Sequence, residues 1–237
     1  MTEHIFPPDY ARIKMVQSFA ELLATPFTDG VNALCWARTL TGDFAEIVTA
    51  VGESEGIANL DEETLQSLTL SEVGKAARDV VLADLRLLRA HGLAPAVDCI
   101  ANYPRDDDPA GVATDVYSFH ADSAPVAAET YLCTYSGACS EGLRNEQAVR
   151  RIDVPETRAQ LLALYGGEEG GAFDVFLREH CYDLHYAPVA GARPYSFGVG
   201  HLWRIAIAHP DCPVPPCIHR AQAEARCPCC PRCGCGT

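Results

Sequence analysis

The hydrophobic period changes at Gly92, and that change limits the folds open to this chain. Before it, apolar residues recur at helical spacing. Tyr10 to Ala24 puts Val16, Phe19, Ala20 and Leu23 on one stripe, which predicts an amphipathic helix closed by Pro26 and Gly30. Val31 to Arg38 is a short apolar run, read as a strand. Helices are expected from Gly42 to about Ser54 and from Asp61 to Leu68. A longer helix is N-capped by Ser71, carries Val73, Ala77, Val80, Val81 and Leu88 on its apolar face, and stops at Gly92. Beyond Gly92, alternating segments predict strands at Ala96 to Tyr103, Ala113 to Phe119, Val126 to Tyr135, Tyr195 to Val199 and Leu202 to Ala208. Two helices interrupt them, near Glu156 to Tyr165 and Ala172 to Asp183. Helices first and short strands afterwards predict an α+β fold. Its mainly helical part, residues 1–93, would pack on a C-terminal antiparallel sandwich or jelly roll, residues 94–226, with a Cys-rich tail at 227–237.

Composition narrows the function classes. The 237 residues carry a formal net charge of −14, which argues against nucleic acid and against an anionic membrane surface, because both are bound through Lys and Arg. No apolar run approaches the roughly 20 residues needed to span a bilayer. The first residues have neither a basic nor an apolar signal region, so a soluble cytoplasmic protein is expected. No Gly-x-Ser-x-Gly or Walker loop is present, and no local motif supports a Cys/His nucleophile pair.

One short motif carries chemistry. In an extended segment from Val116 to Asp122, His120 and Asp122 point to the same face, with Ala121 between them pointing back. An imidazole and a carboxylate so placed are two corners of a metal site. The stiff approach Pro213-Val-Pro-Pro-Cys-Ile-His219 can deliver the third. Two His and one carboxylate on one face of a metal leave positions open for O₂ and substrate, the pattern of non-haem Fe(II) oxygenases. Ser118, Ser123 and Thr134 are candidates to orient these ligands. His201 and His209 share a strand face and are rival ligands. His180 and His185 follow a helix and suit its C-terminus, and His4 and His91 read as surface residues.

At these residues the chain resembles the Fe(II)/2-oxoglutarate-dependent oxygenases, over about residues 96 to 226. The resemblance rests on His120-x-Asp122, on the distal Cys-Ile-His219-Arg220, and on Asn102-Tyr103 upstream. It implies a double-stranded β-helix, Fe(II) and 2-oxoglutarate as cofactors, and O₂ with a small molecule as the reacting partners. Asn102, Tyr103, Tyr131 and Thr134 are the implied pocket residues. The cation that pairs with the 2-oxoglutarate carboxylate departs from the family's spacing: Arg226 lies seven residues past His219 and Arg220 one residue past it. Arg204, a charge inside an apolar strand, is the third candidate, or else the partner of an internal acid.

Five of the twelve cysteines, Cys227, Cys229, Cys230, Cys233 and Cys235, crowd the tail. They suit a second metal, zinc or Cu(I), a redox tail, or a disordered terminus, and Cys212 and Cys217 could complete a four-thiol set. Two further functions therefore stand beside the oxygenase: a non-enzymatic zinc or copper handling protein that uses the tail, and a cupin-like metal-dependent hydrolase or isomerase that uses the triad.

Overall fold

The computed structural model describes residues 7–52, 56–106 and 111–222. Arg226 and the five tail cysteines lie outside the described residues. In chain order the elements begin with β1 (Ile13–Val16), α1 (Phe19–Ala24), β2 (Ala33–Trp36), α2 (Phe44–Val51), β3 (Ile57–Asn59), α3 (Glu62–Ser67), α4 (Glu72–Ala90) and β4 (Asp98–Ile100). They continue with β5 (Glu129–Leu132), β6 (Glu141–Leu143), β7 (Ala148–Arg150), α5 (Pro155–Tyr165), α6 (Gly171–Glu179), β8 (Tyr186–Pro188), β9 (Tyr195–Ser196), β10 (Leu202–Ala206) and β11 (Ile218–Arg220). Among the described residues no helix is long and apolar enough to cross a membrane.

The fold is α+β. Its main sheet has the order β1-β2-β10-β5, parallel between β1 and β2 and antiparallel elsewhere. All five residues of β10 are buried, because both faces of that strand are covered. Leu202 and Ala206 pack with Phe19, Leu22, Phe27 and Leu34 on one face. Trp203 and Ile205 pack with Ala33, Cys35, Tyr195 and Phe197 on the other. A second sheet, β11-β6-β9, and two strand pairs, β3-β4 and β7-β8, complete the β structure, and none of these closes into a barrel. Half of the main sheet comes from before residue 93, so the boundary expected there runs through the sheet.

The helices obey local signals. Ser71 accepts from Gly74 N at the start of α4, and Asp43 accepts from Ala45 N and Glu46 N at the start of α2. Gly92, at φ 78°, turns the chain out of α4. The buried stripe of α4 is Ala77, Val81, Leu82, Leu85 and Leu88, while the expected Val73 is exposed. From that stripe Asp84 reaches the sheet. It takes Arg38 Nη1 at 2.7 Å and Tyr135 Oη at 2.7 Å, which pins the long helix to the extensions of β2 and β5.

Two expectations are corrected. Tyr10 to Ala24 is not one helix: Ile13–Val16 is a strand, and Ser18 then caps the short α1. Pairing with β2 occupies the backbone of residues 13–16, and Ala20 is exposed, so the helical stripe was a coincidence of two elements. Ala113 to Phe119 is not a strand either. Ser118 N bonds Asp115 O in a turn, and extended pairing begins only at His120.

Candidate metal centre

His120 and His219 are brought together by backbone pairing. His120 N donates to His219 O and His219 N to His120 O, both at 2.9 Å. Residues that exchange both bonds across antiparallel strands present their side chains to one face. The two rings accordingly lie 4.6 Å apart between centroids. Asp122, two residues on, returns to that face and is held by Ala208 N, which donates to its carbonyl at 2.8 Å. The sequence-derived alternation thus holds for the three residues that matter, although only isolated bridges frame them.

The approach to His219 is fixed in a different way. Pro215 and Pro216 have no N–H and cannot donate to a ladder. Their carbonyls are bound by side-chain amides instead. Asn32 Nδ2 donates to Pro215 O at 3.0 Å and to Asn145 Oδ1 at 2.9 Å, and Asn145 Nδ2 donates to Pro216 O at 3.0 Å. Tyr10 Oη donates to Asn145 Oδ1 and accepts from Asn145 N, closing the network. Gly142 faces His219 across β6 and β11, and Tyr195 faces Gly142 from β9. The Tyr195 ring fills the place of a Gly142 side chain.

The donor atoms converge. His120 Nε2 and His219 Nε2 each lie 3.8 Å from Asp122 Oδ1, and one ligand atom from each residue falls within 4.8 Å of the others. Among the described residues this is the one such group of three. His120 Nδ1 lies 2.8 Å from Ser118 O, so that nitrogen carries the proton and Nε2 presents a lone pair. His219 Nδ1 is buried without a full hydrogen bond, beside the Cys217 backbone. Burial, aided by the neighbouring His120, lowers the His219 pKa to about 4, against the pull of Asp122. A neutral imidazole is the ligand form. Thr130 Oγ1 donates to Asp122 Oδ2 at 2.6 Å, leaving Oδ1 for the centre. The Phe197 ring stacks on His219, with Trp203 stacked behind it, and dries that side.

These residues fit a divalent metal. Bonds of about 2.1 Å to cis donors place the donors about 3 Å apart, so closing the 3.8 Å separations on Asp122 Oδ1 takes under an ångström. The donor set of two neutral imidazoles and one carboxylate suits Fe(II), and Zn(II) as well.

The other expected residues stand elsewhere. Arg204 is a structural cation: Glu129 takes its Nε and Nη2, while Nη1 donates to Leu22 O, Leu23 O and Thr25 O at 2.8–2.9 Å. It lies on the sheet face away from the triad, as does Tyr131, its cross-strand partner. Thr130 pairs with Ile205 and so occupies the triad's face. Arg220 is neutralised by Glu141, at 2.6 Å, and lies over the Phe119 ring. Neither arginine is free for a cosubstrate carboxylate. Thr134 bridges to Val199 and does not touch the ligands, and Asn102 and Tyr103 line a large neighbouring cavity.

Of the two rival histidines, His209 has a buried Nδ1 without a hydrogen-bond partner and stands outside the converging group, and His201 is engaged elsewhere. His201 Nδ1 accepts from Arg38 N, and the Nδ1 atoms of His180 and His91 meet the Phe176 and Leu87 carbonyls. Sequence reasoning placed His185 at a helix end, yet it pairs beside His120, buried, with its Nδ1 on Cys181 O. Burial lowers its pKa, so it is a neutral wall of the site. Cys217 is fully enclosed and its thiol is pushed up to about 12 by burial, which removes it as a thiolate ligand. Thr130, Asn32 and Asn145 were missed, and no local pattern marks them. No family model matches the chain, and no curated protein or solved structure matches it significantly.

Proposed function

We propose that His120, Asp122 and His219 hold Fe(II) and that the protein is a non-haem iron oxygenase acting on a small molecule. The convergence of two neutral imidazoles and one carboxylate at the end of a paired strand carries this reading. Bound Fe(II) would supply the activation of O₂, chemistry that no side chain of the chain provides. The chain's own residues hold three donors to one side, fix the His120 tautomer through Ser118 O, and exclude water with Phe197 and Trp203. Asp122, the most exposed of the three, faces the open side where substrate and O₂ would enter. The sheets around the triad read as a reduced double-stranded β-helix, with the His-x-Asp segment bridged to both His185 and His219.

2-Oxoglutarate is the cosubstrate the resemblance implies. With Arg204 and Arg220 both paired internally, its distal carboxylate needs another cation. The test is to purify the protein anaerobically, count bound iron, and follow O₂ consumption with and without 2-oxoglutarate. The wild type is expected to hold one iron per chain, and a His120→Ala/Asp122→Ala double variant none. Iron retained by that double variant overturns the assignment. Turnover with Zn(II) and without O₂ would replace the oxygenase by a hydrolase or isomerase on the same ligands.

A further inference from the structure

Beside the triad lies a cavity of about 1120 Å³, just above the roughly 300–1,000 Å³ common for small-molecule sites. Two residues belong to both places. Thr130, which holds Asp122, lines the cavity, and so does Ala221, two residues past His219. One wall is apolar and comes from the layer between α2, α3 and α4, including Ile47, Leu65, Val81 and Leu85. The other is β5 and its continuation, the outer strand of the main sheet.

The charges on the walls are unequal in their needs. Two carboxylates line the cavity and both are partnered: Asp98 accepts from Asn59 Nδ2 at 3.0 Å, and Glu129 is clamped by Arg204. Arg105 is the single Lys or Arg among the lining residues. Its guanidinium lies 3.8 Å over the Tyr117 ring, and among the described residues no carboxylate pairs with it. Tyr117 is itself held, accepting Tyr103 N at 3.0 Å and meeting the Tyr103 ring edge-on. A stacked guanidinium keeps its planar donor fork free for a carboxylate. In a chain with net charge −14, such a cation among the lining residues of a cavity with one apolar wall selects for an anion.

We infer that this cavity binds a monocarboxylic acid with a long apolar body, its carboxylate on Arg105 and its body against the α2–α4 wall. The binding stands on the cavity alone; that the acid is the molecule oxidised rests on the metal reading above. A short diacid such as 2-oxoglutarate does not fit the description, because it brings no apolar body to the wall.

The probe is cis-parinaric acid, titrated into the full-length protein by fluorescence, with its methyl ester and 2-oxoglutarate as controls. Saturable binding is expected, displaced by dodecanoate and not by 2-oxoglutarate, with the ester at least about tenfold weaker. Arg105→Gln should weaken the acid by about the same factor and leave the ester unchanged. Ile100→Trp fills the cavity from a residue already 37% exposed, so it should lower affinity without lowering Tm. The His120→Ala/Asp122→Ala variant should bind the acid as the wild type does. Equal binding of acid and ester, an Arg105→Gln variant with unchanged affinity, or displacement by 2-oxoglutarate at matched concentration overturns the inference. Iron retained without acid binding sinks the inference alone. Acid bound by a chain that takes up no iron upholds it and sinks the metal reading alone.

Discussion

Thr130→Val isolates the one side chain that holds the carboxylate arm of the triad. Valine keeps the shape and the strand preference of threonine and removes only the hydroxyl. The bond lost is Thr130 Oγ1 to Asp122 Oδ2, at 2.6 Å. A hydrogen bond to a charged group contributes about 1.5–3 kcal/mol. The Asp122 side chain is 31% exposed, so water can replace the donor in the free protein, and the lower end applies. A loss of about 1.4 kcal/mol is tenfold in affinity, which agrees with the effect of removing a group that orients a ligand. The assay is titration with Co(II), followed by visible absorbance and competed with a chelator, beside thermal melts of the metal-free protein. Thr130→Val should bind about tenfold more weakly and melt within about 3 °C of the wild type, and Thr130→Ser should recover most of the affinity. Unchanged affinity in the valine variant would refute the argument, as would a loss as complete as that of Asp122→Ala.

Three further outcomes follow from the same structure. Asn32→Ala, at a side chain 1% exposed, takes the donor from Pro215 O and Pro216 O; at about 0.5–1.5 kcal/mol per hydrogen bond plus lost packing, chemical denaturation should register a loss of about 1–3 kcal/mol. Gly142→Ala drives a methyl group into the buried Tyr195 ring, and overpacking of this kind costs about 1–3 kcal/mol; a second change, Tyr195→Leu, should recover part of the lost Tm. His201 has its pKa lowered by burial, with the Arg38 charge adding to it, and its Nδ1 accepts the Arg38 amide. The unfolded chain therefore binds the extra proton first, so stability is full above the ordinary histidine value near 6.5 and falls as pH drops below it. A His201→Gln variant should show a flatter Tm profile between pH 7 and pH 5, and an unchanged slope would refute the assignment.

The sequence showed some of this and hid the rest for identifiable reasons. Ser71 and Gly92 delimit the long helix because caps act within a few residues, and those signals were readable. The strand order β1-β2-β10-β5 was not, since it depends on pairings between residues up to 172 positions apart, from Ala33 to Ile205. Residues 13–16 illustrate the failure: four residues have too little period of their own to separate a strand from the helix that follows. The His120 and Asp122 pair was legible because alternation in a two-residue step needs no knowledge of the partner strand. Arg204 was only half legible. A charge inside an apolar strand requires a partner, but its partner could be named only once β5 was placed beside β10. That same pairing turns Thr130 to the triad and Tyr131 away from it, which local pattern alone could not decide between.

The three ligands are not held alike, and the difference has a consequence. His219 is buried to 6% exposure, follows a proline segment bound by the side-chain amides of Asn32 and Asn145, and shares a closed backbone pair with His120. Both histidines are therefore fixed by bonds that a metal does not alter. Asp122 is the exposed arm, tied through its side chain by Thr130. The 3.8 Å separations from Asp122 Oδ1 to each Nε2 exceed the roughly 3 Å of a bound metal's cis donors. The carboxylate is the freer arm, so closure onto a metal would be mainly a rotation of Asp122 toward the two imidazoles. Thr130 sets where that rotation starts.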